Sequence, residues 1–449
     1  YNTAVGAYAL DANTTASDNT GVGYLALQVN TTGPNNTAVG AYALDANTTA
    51  GQNTAVGRSA LSASNADDNT AVGKSALAAS TTGARNNALG SSALVANTTG
   101  DDNTALGGFS LATNTTGSDN TAVGSYALNK STTASNNTAV GYLSLFEDTT
   151  GANNTAVGKS ALQVNTTGTQ NTAVGGIALD ANTTGNYNVA IGYNALTDNQ
   201  TGSNNTAVGT EALENNTGSN NTAVGALALD ANTTGASNNA VGKQALTANT
   251  TASGNNAFGL QALLSNTTGA QNTAIGHSAL QQNTTANYNT AVGNQALESN
   301  TTGTQNVAVG AFALDANTTT NSNTAVGYNA LSANTAAENT GIGRQALLNN
   351  TTGEHNTAIG VNAAYQNTTG DYNIAIGNNA LDAATTASNN IAVGYNALSA
   401  VTTNSYNTAI GYNALTLATS AYNTAVGYES LRAASTGQQN TAVGFSCLQ

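Results

Sequence analysis

The side chains from which hydrolytic, redox or metal chemistry would have to be built are few: His277, His355, Cys447, and 22 acidic residues against 8 basic ones. A hydrolase triad or a histidine metal site needs its members within a few ångströms of one another. The two histidines occupy different columns of a tandem repeat, four to five repeats apart. At the spacing of neighbouring strands that is about 20 Å or more, too far to share a site. Asp11, Asp45, Asp180, Asp230, Asp315 and Asp382 share one column but never fall in adjacent repeats, so they form no carboxylate pair for acid–base work. The lone Cys447 allows no disulfide framework within the chain and no cysteine-based metal site. It stands in a column of small residues, which suits a packed thiol. The glycine and aspartate spacing of calcium-binding β-rolls is missing, and the recurring Gly corners precede neither Lys-Ser nor a helix, so they are not phosphate loops. No catalytic, metal or cofactor residue is predicted, and the chain does not read as an enzyme.

Two polar or aromatic patterns have a sharper reading. Asn13, Asn30, Asn47, Asn97 and Asn114 head Asn-x-Thr sequons that could accept N-glycans, although turn chemistry accounts for the same residues. Tyr395, Tyr412 and Tyr428 follow the Gly in three consecutive repeats, and Tyr406 and Tyr422 precede the Asn in two, which predicts aromatic ladders. Such ladders serve as simple stacks or as a saccharide platform. Asp68, Arg85, Asp102 and Asp119 precede the Asn in four successive repeats and place Arg85 between two acids, a solvated charge ladder.

The elements that carry these residues come from a single unit. Asn-Thr-Ala-Val-Gly at positions 2–6 and variants of it make 27 copies up to Asn440, at intervals of 17 residues in 22 cases and 16 in four. Nothing lies between copies, so residues 1–449 form one continuous array with no separate domain. The opening Asn and the Gly never vary; Gly6, Gly40 and Gly124 typify a corner that needs positive φ or close backbone approach. The residue before that Gly is always apolar, and four residues after it a Leu occurs in 26 copies, broken at Ala364. Before the Leu only small residues are found: Ala in 23 copies, with Ser110, Ser144, Ser430 and Cys447 as exceptions. All four shortened units begin normally, so their missing residue belongs to the Asn-Thr-Thr-Gly half, whose composition forms turns.

A period of 17 residues is too short for helical-pair repeats and does not fit a heptad seam. The pattern therefore predicts an all-β fold, a β-solenoid (β-roll) of 27 coils with two short strands per coil, about 4.7 to 4.9 Å apart, in a rod of roughly 130 Å. Val5, Leu10, Val39, Leu44, Val123 and Leu128 are expected to face inward. Ala4 and Ala9 would then face outward, and a core this thin calls for burial of that second surface against other copies of the chain.

The NTAVG, Ala-Leu and NTTG elements at 17-residue spacing resemble repeat regions of bacteriophage tail fibres and bacterial surface fibres, over the whole chain. Members of that group often carry an endosialidase-type intramolecular chaperone that directs trimerisation. The shorter 14-residue repeats of trimeric autotransporter adhesin heads are more distant analogues. The resemblance implies a parallel homotrimeric fibre outside the cell or on a virion, with any cell-surface or glycan receptor engaged by parts not visible here.

The formal charge of -14 argues against nucleic acid and anionic membranes as partners. No basic leader precedes an apolar stretch and no 18-residue apolar run occurs, which argues against a signal peptide and a membrane span; the chain begins and ends within a repeat, as a mature product or fragment would. The function expected is a structural extracellular shaft or adhesin stalk, partnered with itself, that spaces or displays a binding tip. The alternative is binding by the array's own surface, to ice or carbohydrate: the Thr3 column is Thr in 20 of 27 copies. Its exceptions, Asn87, Val189, Asn239, Asn256, Val307, Ile374 and Ile391, fit a half-buried β position better than an ice lattice.

Overall fold

The computed structural model describes residues 1–417, 419–433 and 436–448. The chain forms two compact units, Tyr1–Asn221 and Thr222–Gln449. Each is a parallel β-solenoid. Among the described residues the first contains 13 three-residue strands, from Thr3–Val5 to Thr206–Val208, and the second 14, from Thr222–Val224 to Thr441–Val443. Within each unit successive strands pair in parallel and in register, as in Thr3↔Thr20 and Val5↔Val22, so like residues form columns.

One strand per coil is found where the sequence pattern suggests two. The stretch from Gly6 to Leu10 is a turn, because residues in the left-handed region alternate through it: Tyr8 has φ 61° and Leu10 φ 54°. Asp18, before the next Asn, has φ 60°, and the same three positions recur along the array. Non-glycine residues enter this region at a cost of about 1 kcal/mol or more. Inside the array residues at these positions donate their N–H to a neighbouring coil: Leu10 to the Ala26 carbonyl at 3.0 Å, Leu25 to that of Ala7 at 3.1 Å, Asp18 to that of Tyr1 at 2.7 Å. The cost is thereby offset by bonds that an extended chain could not make at these corners. Most of the perimeter is thus joined coil to coil, not the strands alone.

The Gly corner has two independent requirements. Gly124 has φ +131°, and a Cβ built on it would lie 2.5 Å from the Gly141 carbonyl oxygen of the next coil. Gly6 and Gly40 meet the same wall at 2.6 and 2.5 Å.

The strand register is opposite to that expected. Ala38, Ala55, Ala71 and Ala122 have no exposed surface, whereas Val5 is 58% and Val39 37% exposed and Val123 is half-buried. Alternation along a strand lets only one of the Ala and Val columns face inward. The space decides which. Where the strand's middle residue is Gly21, a Cβ would lie 3.3 Å from Cγ of Leu10, and at Gly341 one would lie 3.1 Å from Cγ of Leu331. A single methyl fits opposite the leucine and a valine does not. Leu44 and Leu128 are fully enclosed and Leu10, at the terminal coil, is 9% exposed. The Ala9-type column is buried too, for example Ala43 and Ala127. The core of most coils is one leucine between two alanines, so inside the array neither alanine column is free to touch another chain.

Three of the shortened coils, those opening at Asn53, Asn323 and Asn407, keep this register. Thr54 pairs with Thr70 and Val56 with Val72 across the 16-residue unit. Its missing residue is replaced chemically: Oδ1 of Asn65 accepts from the N–H groups of Thr48 and Thr49, each at 3.1 Å. That side-chain carbonyl does what a backbone carbonyl does elsewhere, as when Thr31 and Thr32 both donate to the Thr48 carbonyl.

Candidate functional site: buried amide ladders and the outward strand face

Two asparagine columns line the polar end of the coil. In the first, Asn19 N–H donates to Oδ1 of Asn2 at 3.0 Å, and Asn36 N–H to Oδ1 of Asn19 at 2.8 Å. In the second, Nδ2 of Asn47 donates to Oδ1 of Asn30 at 2.9 Å and to the Ala50 carbonyl at 2.9 Å. Nδ2 of Asn19 and of Asn30 converge on the Gly33 carbonyl, both at 3.0 Å.

This second column is the sequon column. Asn30, Asn47, Asn97 and Asn114 are completely buried. Asn13, in the terminal coil, is half-buried with Nδ2 3.3 Å from the Ala16 carbonyl. At Asn30, Asn47, Asn97 and Asn114 the nitrogen that would carry a glycan is enclosed in the folded coil and already donating, which opposes glycosylation there and favours the turn and ladder role of the Asn-Thr-Thr sequence. The hydroxyl of the following Thr is engaged as well, Thr31 Oγ1 donating to the Thr48 carbonyl at 2.9 Å.

One member of the ladder is a carboxylic acid. Asp148 replaces Asn, is fully buried, and accepts from Nδ2 of Asn165 at 2.8 Å through Oδ1. Its Oδ2 has no partner, nor has the buried hydroxyl of Ser131 in the preceding coil. Burial pushes the Asp148 carboxyl up to about 8, against the lowering pull of Asn165 and the Gly151 N–H. Asp45, Asp180, Asp315 and Asp382 in the turn column are raised by burial as well.

Outward, each strand presents two side chains, that of the Thr3 column and that of the Val5 column. The apolar rank is substantially exposed: Leu89 is 47% and Phe258 41% exposed. No residue of either column is charged in any coil. One edge of this face is the column following the Gly, where Arg58, Lys74, Lys159, Lys243 and Arg344 are exposed. The other edge is the column preceding the Asn, with Asp18, Asp68, Asp102, Asp119 and Glu338 exposed. Arg85 in that second column is bound to Asp102 of the next coil at 2.7 Å. The bond raises the guanidinium and lowers the Asp102 carboxyl.

The histidines are engaged separately, His355 Nδ1 with Glu338 at 2.9 Å and with its ring stacked on Tyr372, and His277 Nδ1 with Asn294 Oδ1 at 3.3 Å. Cys447 is half-buried, its Sγ 3.3 Å from the Val443 carbonyl. Tyr395, Tyr412, Tyr428 and Phe445 stack in sequence with centroids 5.3, 5.1 and 5.2 Å apart, and Tyr406 lies on Tyr422 at 5.1 Å and 1°. Stacked this way the rings cover one another's faces and offer edges to solvent, whereas sugar stacking needs a free face.

Among the described residues no group of three or more His, Cys, Asp or Glu side chains is placed to hold a metal ion. Among them, too, no helix is long and apolar enough to cross a membrane. No family model and no curated protein matches the chain.

Neither the outward direction of the Val column nor the burial of the sequon amides was reached from sequence. The signal for the first was present: the strand's central position admits only Ala or Gly, as at Gly21 and Gly341, while the Val position admits Leu, Ile and Phe. A column restricted to the smallest residues is packed against something; a column that accepts several sizes has room.

Proposed function

We propose that the chain is the shaft of an extracellular fibre on a virion or cell surface. It is non-catalytic, built from parallel copies of itself, three in the reading drawn from tail-fibre and adhesin repeats, and it spaces or displays a binding tip. The observation that carries this reading is the coil itself. Each closes its backbone on the next and leaves outward an uncharged Thr–Val face whose apolar rank is too exposed for a solitary soluble chain. The acidic balance of the chain supports a shaft that binds neither nucleic acid nor anionic membrane.

Sedimentation of the purified chain, with electron microscopy of the same sample, tests the proposal. The expected result is a uniform rod with the mass of three copies. A stable 44.3 kDa monomer at micromolar concentration would defeat it. The common outward direction of the Thr and Val ranks favours one second reading, binding to an ice surface, and thermal hysteresis separates the two. A shaft gives none, and the mixture of Val, Leu, Ile and Phe in the exposed column spoils the flatness an ice lattice needs.

A further inference from the structure

The two edges of the Thr–Val face carry opposite charge. The column after the Gly contains five lysines and arginines and no acid in any coil; the column before the Asn contains five acids, one arginine and one histidine. Those last two are already bound within the chain, Arg85 to Asp102 and His355 to Glu338. Arg58, Lys74, Lys159, Lys243 and Arg344 are exposed, and among the described residues none forms an ion pair within the chain. A strongly acidic protein thus keeps five of its eight cations unpaired, three in the first unit and two in the second, each on the same edge of its own unit's apolar face.

We propose that this face is where a second copy of the chain docks, parallel and in register, and that the two charged edges set the direction. A half-turn about the stacking axis brings the Thr–Val faces of two parallel copies together. It also lays the basic edge of each on the acidic edge of the other. A half-turn about the strand direction, which makes the copies antiparallel, lays basic on basic and acidic on acidic. The charges therefore select the parallel arrangement. In register they also form named pairs. Asp68 and Lys74 flank the same strand, Thr70–Val72, and Glu338 and Arg344 flank Thr340–Ile342. In register, Lys74 of one copy faces Asp68 of the other, and Arg344 faces Glu338. A slip by one coil loses both pairs and gains only Arg58 opposite Asp68, whereas a slip by three coils forms as many unlike pairs as the register does, so the charges fix the direction and not the coil.

The area is sufficient. Three residues per strand at roughly 3.3 Å each, on strands about 4.8 Å apart, give each unit a face of roughly 600 to 700 Å². Two such faces in contact bury roughly 1,200 Å² or more per pair of units, the range of specific protein interfaces. A three-fold axis along the stacking direction also sets basic edges against acidic ones, so the inference fixes the surface and polarity and leaves the copy number to sedimentation. It rests on the reading of the chain as a self-assembling shaft.

The test uses the full chain, mixed from heavy-isotope and light-isotope preparations, treated with a zero-length carbodiimide and digested. The expected product is an amide between Lys74 and Asp68 joining one heavy and one light peptide. In parallel, Val123→Lys and Val140→Lys together should abolish association by sedimentation while the circular dichroism of the coil is kept, since neither side chain enters the core. Charge reversal by Lys74→Glu and Arg344→Glu should weaken association at low salt at least tenfold, and adding Asp68→Lys and Glu338→Lys should restore it. Failure of the unmodified chain to associate overturns both this inference and the shaft reading. Association that survives the two Val→Lys changes, or that yields no mixed-isotope Lys74–Asp68 product, overturns the docking surface and leaves the shaft reading standing.

Discussion

Asp148→Asn should stabilise the protein, and by an amount that grows with pH. The carboxyl stands in a ladder of amides, fully buried, with one oxygen serving Asn165 and the other serving nothing. Because burial raises its pKa from 3.8 to about 8, the folded chain holds the proton more tightly than the unfolded chain does. The stability this contributes is full below about pH 4, falls as pH rises between the two values, and is gone above about pH 8. The gap corresponds to on the order of 5 kcal/mol as a ceiling, at 1.36 kcal/mol per pH unit. Asparagine has no proton to lose. Its Nδ2 would meet the Gly151 carbonyl, which already accepts from Asn137 at 2.8 Å, just as the Gly33 carbonyl accepts from both Asn19 and Asn30. Melting of the natural chain and the variant, followed by circular dichroism from pH 4 to pH 9, reads the difference directly. The two should lie close together at pH 4 and separate progressively to a plateau near pH 8 or 9, the variant melting higher. Parallel pH profiles, or a separation that narrows as pH rises, would refute the buried-acid argument.

Three further outcomes are expected. Gly124→Ala should cost at least about 2 kcal/mol in chemical denaturation, because its Cβ meets a backbone oxygen at 2.5 Å and the residue must keep φ +131°. The strand register can be read from three substitutions in one coil. Leu128→Ala should cost about 2 to 5 kcal/mol and Ala122→Val about 1 to 3, while Val123→Ala, measured on dissociated chains, costs under about 1. Expression in a host that attaches N-glycans should leave Asn30, Asn47, Asn97 and Asn114 unmodified by intact mass, since each is completely buried; a glycan on any of them would mean that the amide ladder opens.

The repeat made much of the architecture legible before any coordinates. Invariant Asn and Gly columns, a Leu column and a variable turn point to stacked coils of a β-solenoid, and the coils are there. Direction within the coil was not legible from hydrophobicity alone, because Ala4 and Val5 are both apolar and a strand of three residues has no long alternation to arbitrate between them. Steric room opposite Leu10 settled it, which is a property of the neighbouring wall. The left-handed residues were hidden for a different reason. Residues such as Tyr42 and Leu10 are poor choices for positive φ on their own, and the bonds they make to adjacent coils, to the Tyr24 and Ala26 carbonyls, offset the cost. The Asn-Thr-Thr motif was ambiguous between decoration and turn, and the distinction depended on which way one amide points.

The direction of the coil-to-coil hydrogen bonds has a mechanical consequence. Within either unit the backbone N–H and C=O groups bridge neighbouring coils, so the bonds lie along the stacking direction. Tension along that direction loads successive coils in series rather than shearing many strands at once, and an end coil can peel while its neighbours hold. Each coil occupies about 4.8 Å of the stack, yet its 17 residues extend to roughly 60 Å when pulled out. Every rupture would therefore release about 55 Å of slack and let the load fall before the next coil is engaged. Such a stack would yield in small, nearly equal steps and dissipate a sudden pull one coil at a time, behaving under load as a shock absorber rather than as a brittle rod.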